Sequence, residues 1–312
     1  MNVITAGQQM LVMFLLIMTG YLCSRKGLIN EQNNACLSSL VVNVFNPAVI
    51  FSSVLGNAAS RTEDSLLTLF VVSAGLYLFL ILAAKVLLRF SPQTPDEKHI
   101  TELLYVFANV GFIGIPVVKS LLGDACLIYV AVFILVYSIL VYTYGIALLQ
   151  KEKASKGFRL ASLKPLLNMG TLACAATLVV FVGNFRLPVV FTDTLQHLAN
   201  ATTPISLLII GVSLGMQGNP LSPFLNGRRY LFCLWKLLLL PLAGTWILCR
   251  LPVSVALRQT YMLLLAMPSG NMILMIVKDL GLEEKECANT IILSTLLSIL
   301  TIPVVVLIYP YL

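Results

Sequence analysis

The sequence predicts an all-α polytopic membrane protein of ten transmembrane helices, built as two inverted five-helix repeats whose fourth and ninth helices are broken. Three observations predict it. Of 312 residues, 59% are hydrophobic and 11% charged, with a mean hydropathy of +0.94; a soluble domain uses roughly 25% charge to cover its surface. The apolar residues fall into runs near the roughly 20 residues that cross a hydrocarbon layer. Landmark residues recur in the same order in the two halves of the chain. This composition excludes a cytosolic globular enzyme, a disordered chain and a secreted disulfide scaffold.

The apolar runs cover residues 5–24, 34–55, 66–89, 101–122, 125–149, 164–183, 195–217, 229–249, 256–279 and 287–309. The first lacks a basic leader and a small-residue cleavage site, so it reads as a first span. Most boundaries carry Gly, Pro, Asn or charge, as in Arg25-Lys26-Gly27 and Gly218-Asn219-Pro220. One connection of any length, near residues 150–163, holds Lys151, Lys153, Lys156 and Arg159 at the chain midpoint. The organisation is therefore a first repeat over residues 1–150, a basic loop over 151–163 and a second repeat over 164–312. The seven cysteines have neither metal-site nor disulfide spacing and read as small packing residues.

Cytoplasmic loops keep the Lys and Arg of a membrane protein. With ten spans and the N-terminus outside, fifteen basic residues fall at inside ends, Lys236 among them, and five at outside ends. Both termini are thus predicted outside and the basic loop in the cytoplasm of a cell-membrane protein. The formal charge of +7 follows from this bias and calls for no nucleic acid partner.

The halves read as copies. Asn46-Pro47 in the second run pairs with Thr203-Pro204 in the seventh, and Pro116 in the fourth with Pro268 in the ninth, at offsets of about 152 to 158 residues. Five spans per half is an odd number, so the second copy enters the membrane from the opposite side, an architecture common in secondary transporters. Gly111, Gly114 and Pro116 crowd the fourth run, and Pro268, Gly270 and Asn271 the ninth. Proline removes a backbone donor and crowds the preceding turn, so each segment is predicted to unwind or kink there. Irregular backbone at membrane depth is tolerated where protein buries it or a cavity receives it. Paired breaks in an inverted repeat point to a binding site, and half-helix N-termini suit a carboxylate.

Amides at depth add donors and acceptors without fixed charge. Asn109 lies seven residues before Pro116 and Asn271 three after Pro268; Asn43 and Asn46 precede Pro47. The same side chains also serve as interhelical glue in membranes. Lys119, one turn beyond Pro116, either draws an anion to the outer mouth or snorkels toward Asp124. The candidate substrate-binding set is Asn109, Gly114, Pro116, Lys119, Pro268, Ser269, Asn271, Asn43 and Asn46. His99 and His197 have no partner at metal or nucleophile–base spacing, and no phosphate loop is present. No enzyme, metal or cofactor is expected. No Asp, Glu or His marks the middle of a span, which points to electrogenic export uncoupled from protons.

The run Asn109-Val-Gly-Phe-Ile-Gly-Ile-Pro116, with Lys119 and Gly123 following, resembles the signature of the auxin efflux carrier family. Ala266-Met-Pro-Ser-Gly270, Lys278-Asp279, Ser298–Pro303 and Ser213-Leu214-Gly215 resemble later parts of that family, so the likeness spans essentially the whole chain. It implies ten helices, inverted repeats, a scaffold and a transport domain, and helices crossing at the two prolines. It also implies transport of small organic anions, auxin-like or dicarboxylate, by an elevator motion, often as a dimer. Three features depart from the family pattern: the long cytoplasmic loop of plant members is absent, Asn46 replaces an apolar residue, and Asn271 has no clear plant equivalent. A sodium- or proton-coupled symporter and a non-transporting receptor on the same fold are the alternative readings.

Overall fold

The computed structural model describes residues 3–52, 64–89, 93–150, 169–183, 185, 188–216, 222–282 and 285–312. Counting a helix that continues through a π-turn as one, these residues form twelve helices and no strand. They are α1 (Val3–Arg25), α2 (Glu31–Ser52), α3 (Leu66–Arg89), α4 (Pro95–Val106), α5 (Val110–Leu122) and α6 (Asp124–Leu149). The remainder are α7 (Met169–Gly183), α8 (Val189–Gly215), α9 (Gly227–Cys249), α10 (Val255–Leu265), α11 (Asn271–Asp279) and α12 (Lys285–Tyr311). Six of them, α2, α3, α6, α8, α9 and α12, are individually long and apolar enough to cross a membrane. The fourth and ninth apolar runs each fold as two short helices, α4 with α5 and α10 with α11. The basic loop over 151–163 lies outside the described residues.

Local chemistry sets the helix starts. Thr94 and Glu97 cap α4 reciprocally, with Pro95 in the first turn where its missing N–H costs nothing. The Ser254 hydroxyl accepts the Leu257 N–H at 3.1 Å to open α10. Inside the long helices a second device recurs. Pro47, Pro116 and Pro241 each stand two residues after a π-turn, over Val41–Phe45, Val110–Gly114 and Trp235–Leu239. In each case the N–H of the residue before the proline reaches five residues back, Asn46 to Val41, Ile115 to Val110 and Leu240 to Trp235. The widened turn makes room where a proline ring would meet the carbonyl four residues earlier. The helices therefore run on through these prolines. The unwinding predicted at Pro116 falls instead at residues 107–109, and Pro116 occupies the second position of the α-helical stretch Ile115–Leu122.

Packing is tightest between α1 and α8. A Cβ on Gly20 would stand 2.1 Å from the Leu208 carbonyl oxygen, and one on Gly211 would stand 1.8 Å from that of Ile17. Small residues let membrane helices reach backbone contact, where dispersion replaces the missing hydrophobic drive. The Thr202 hydroxyl ties α8 to α2 by donating to the Phe45 carbonyl at 3.1 Å. A second group, α3, α4, α6 and α10, packs around an aromatic cluster of Tyr77, Phe107, Phe133, Tyr137 and Tyr261. Ser73 of α3 donates to the Tyr261 hydroxyl at 2.7 Å. On the outer side of α3, Leu67, Val71, Leu78, Leu82 and Val86 form an exposed stripe at helical spacing, the surface a helix presents to lipid.

Candidate functional site

The two helix breaks meet. Between α4 and α5, and between α10 and α11, the chain is extended for a few residues, and Ala108 pairs with Ser269 in one antiparallel rung. The Asn109 N–H donates to the Pro268 carbonyl at 2.7 Å, and the Gly270 N–H donates to the Phe107 carbonyl at 2.9 Å. Residues 102–110 and 261–270 are buried. Unpaired backbone groups cost several kcal/mol each in such surroundings, and the rung lets each break satisfy the other. A Cβ at Gly270 would lie 2.9 Å from the Ala108 oxygen and 3.3 Å from that of Phe107, so the rung closes only against a glycine. Gly270→Val is accordingly expected to part the two segments and abolish function. Size-exclusion elution separates this loss from unfolding, and full function in a well-folded variant would contradict it.

Three carbonyls at the end of α4 are individually occupied. The Ser269 hydroxyl donates to Leu104 O at 2.9 Å, the Lys236 ammonium to Tyr105 O at 2.8 Å, and Gly270 N–H to Phe107 O. The Ser269 N–H donates in turn to the Ser294 hydroxyl of α12 at 3.3 Å. Ser269 is thus a strut of the crossing, with its N–H and its hydroxyl proton both engaged.

Asn109 caps the other half-helix. Its Oδ1 accepts the Phe112 N–H at 3.1 Å, which turns Nδ2 into the free end of the amide. That Nδ2 is buried without a partner, as is Oδ1 of Asn46 on α2. Asn46 lies against Gly111, two residues after Asn109, its Nδ2 3.2 Å from that glycine's Cβ position. Asn109 is 4% exposed and Asn46 8%. A buried polar atom left unpaired costs about 1–3 kcal/mol, so the unpaired Asn109 donor and Asn46 acceptor make this region a candidate place for a polar molecule. Gly111, Phe112 and Asn271 are half-buried among these covered neighbours, so the N-terminal turns of α5 and α11 are the open edge of the crossing. Helix N-termini carry free N–H groups and about half a positive charge.

The other candidate residues distribute as follows. Gly114 packs against Leu264 of α10, 3.1 Å from its Cβ position. Pro116 is buried in α5, and Pro268 lies within the second break. Asn271 is the first residue of α11. Asn43 stands apart: its Nδ2 donates to the Ser39 carbonyl at 2.9 Å and hydroxyl at 3.2 Å within its own helix. Lys119 donates to Asn200 Oδ1 at 3.2 Å and lies 3.6 Å from Asp124. Its ammonium is held between α8 and the start of α6.

Three buried charged side chains were not expected in the interior: Lys236, Glu102 and Arg229, the last 6% exposed and paired with Glu286 at 2.7 Å. Lys236, counted from sequence among the cytoplasmic ends, is 1% exposed at the π-turn of α9. Its position within an apolar run, between Trp235 and Leu237, was the available signal. Glu102 is buried on α4 and accepts a hydrogen bond from the Tyr144 hydroxyl, over whose ring Lys85 lies at 5.5 Å. A cavity of about 550 Å³ opens among the starts of α4, α9 and α12, with Thr94, Glu97, Arg228 and Thr290 on its walls. It reaches Leu104, whose carbonyl receives the Ser269 hydroxyl.

The family described as membrane transport protein matches residues 5–160 and 158–306. An uncharacterized transporter of Methanocaldococcus jannaschii is 26% identical over 94% of this chain and 95% of its own. The uncharacterized transporter YfdV of Escherichia coli is 24% identical over 75% of each chain. A putative malonate transporter of Rhizobium meliloti is 24% identical over 93% of this chain and 91% of its own.

Proposed function

The chain belongs to the membrane transport protein family, the auxin efflux carriers, and from that premise we propose that it exports a small organic anion bound at the crossing of the two broken helices. It is a membrane protein and a transporter rather than an enzyme. The observation that carries the proposal is the orphaned Asn109 Nδ2 beside the rung, with the likewise unpaired Asn46 Oδ1 on a side chain that lies against Gly111. A carboxylate at this place accepts from Asn109 and from the N-terminal turns of α5 and α11, where the helix dipoles favour negative charge. The putative malonate transporter among the relatives supports a small carboxylate as cargo.

In this reading the helix pairs α4–α5 and α10–α11 each count as one crossing, which gives ten spans in two inverted repeats. The close-packed set of α1, α2 and α8 is the scaffold, and the group around the crossing moves as the transport domain. Asn46 on the scaffold side lies against Gly111 on the transport side, so an elevator motion would carry the site past Asn46. Topology is checked by single cysteines at Ser155 and Asn57, expected to label from opposite sides with Ser155 cytoplasmic; labelling from one side would overturn the ten-span arrangement. Function is checked by proteoliposome flux screened over a carboxylate library. Saturable flux of one or a few small carboxylates is the expected result, and specific binding without flux would instead favour a receptor.

A further inference from the structure

Lys236 is a basic side chain placed inside the protein at the end of a half-helix. It is 1% exposed, and its ammonium donates to the carbonyl of Tyr105, two residues before the extended segment that crosses α10–α11. It takes part in no ion pair among the described residues. Ionisable groups at membrane depth are costly and are kept for function. The C-terminal end of a half-helix carries about half a negative charge on its unsatisfied carbonyls, and in transporters with broken helices such ends coordinate the coupling cation. Here three carbonyls of that end are taken. Tyr105 O is taken by Lys236, Leu104 O by Ser269 and Phe107 O by Gly270.

We infer that Lys236 is a resident cation: it supplies at the crossing the positive charge that a coupled sodium ion would otherwise bring, so the anion moves without a co-transported cation. This rests on the carrier reading above and deepens it. Lys236 is a positioning residue rather than a binding one, because it reaches the site through the α4 end that it fixes. The π-turn at Trp235–Leu239 places it, since the wider turn shifts the register of α9 at that residue.

The experiment is carboxylate flux in proteoliposomes at a clamped potential, in sodium, potassium and choline media. The wild type is expected to give the same flux in all three. Lys236→Ala should lower flux at least tenfold in choline and regain part of it when sodium or n-propylammonium is supplied, because either can occupy the vacated place. Lys236→Arg, which keeps the charge, should stay within a few-fold of the wild type. Wild-type flux that requires sodium would overturn the inference, and it needs no variant to fold. So would a folded Lys236→Ala protein that transports normally, or one whose loss no cation repairs. A wild type that moves no carboxylate in any medium would instead remove the carrier reading on which this rests.

Discussion

Asn109→Ala is expected to lower carboxylate affinity by about ten- to one-hundred-fold while leaving the helices assembled. The substitution removes a donor that has no partner in the protein, so the folded state loses little at Nδ2. What it removes from the bound state is a hydrogen bond to a charged acceptor, worth about 1.5–3 kcal/mol, and each 1.4 kcal/mol is roughly tenfold in affinity. The cap on Phe112 N–H is lost as well, which costs about 1 kcal/mol of helix stability and is read separately as a small fall in melting temperature. Asn109→Asp separates the parts: it keeps the capping oxygen but presents a carboxylate to the anion, so affinity should fall further although the cap survives. Binding measured by ligand-induced thermal shift tests both. An Asn109→Ala protein that binds the carboxylate as well as the wild type would return the residue to a purely structural role.

The largest stability effect is expected at Gly211, far from the crossing. A Cβ there falls 1.8 Å from the Ile17 carbonyl oxygen and 2.8 Å from the Tyr21 nitrogen, both backbone atoms. No rotamer change relieves such an overlap; α1 and α8 must move apart along their contact. Overpacking a close contact costs about 1–3 kcal/mol even where side chains can adjust, and here the yielding parts are whole helices. Gly211→Leu should therefore reduce the yield of monodisperse protein in detergent and lower its melting temperature by well over the effect of Gly75→Leu. Gly75, on α3, has nothing within 4 Å of its Cβ position and serves as the control. Equal behaviour of the two variants would mean that the α1–α8 contact is looser than described.

The sequence made the interruptions visible because they are chemical: glycines and prolines inside apolar runs have few other reasons to cluster. It did not reveal where each chain unwinds. Pro116 marks its break only indirectly, since a π-turn absorbs the proline and Asn109, seven residues earlier, starts the helix by capping it. Pro268 by contrast lies within its break. Asn46 and Asn109 were both legible as polar residues at depth, but the approach of Asn46 to Gly111, two residues after Asn109, joins positions far apart in the chain, which no local pattern encodes. Asn43 shows the converse, an equally polar neighbour whose amide is consumed by Ser39 in its own helix. Lys236 was hidden by the charge count itself, because a basic residue near one end of an apolar run is ordinarily a loop-facing residue. Its burial is fixed by the carbonyl of Tyr105 on another helix.

The central claim, that a small organic anion is carried alone through this crossing, is tested most directly by flux against an imposed voltage. Moving one negative charge outward gains about 2.3 kcal/mol per 100 mV of inside-negative potential, which corresponds to roughly fifty-fold accumulation. Purified protein in liposomes, loaded with the carboxylate found by screening, is given a potassium diffusion potential at clamped pH. The account predicts efflux that rises with inside-negative potential and ignores an imposed proton gradient. Flux that follows the proton gradient and disregards the potential would contradict it, and would turn attention to Glu102 and Tyr144 as the proton path.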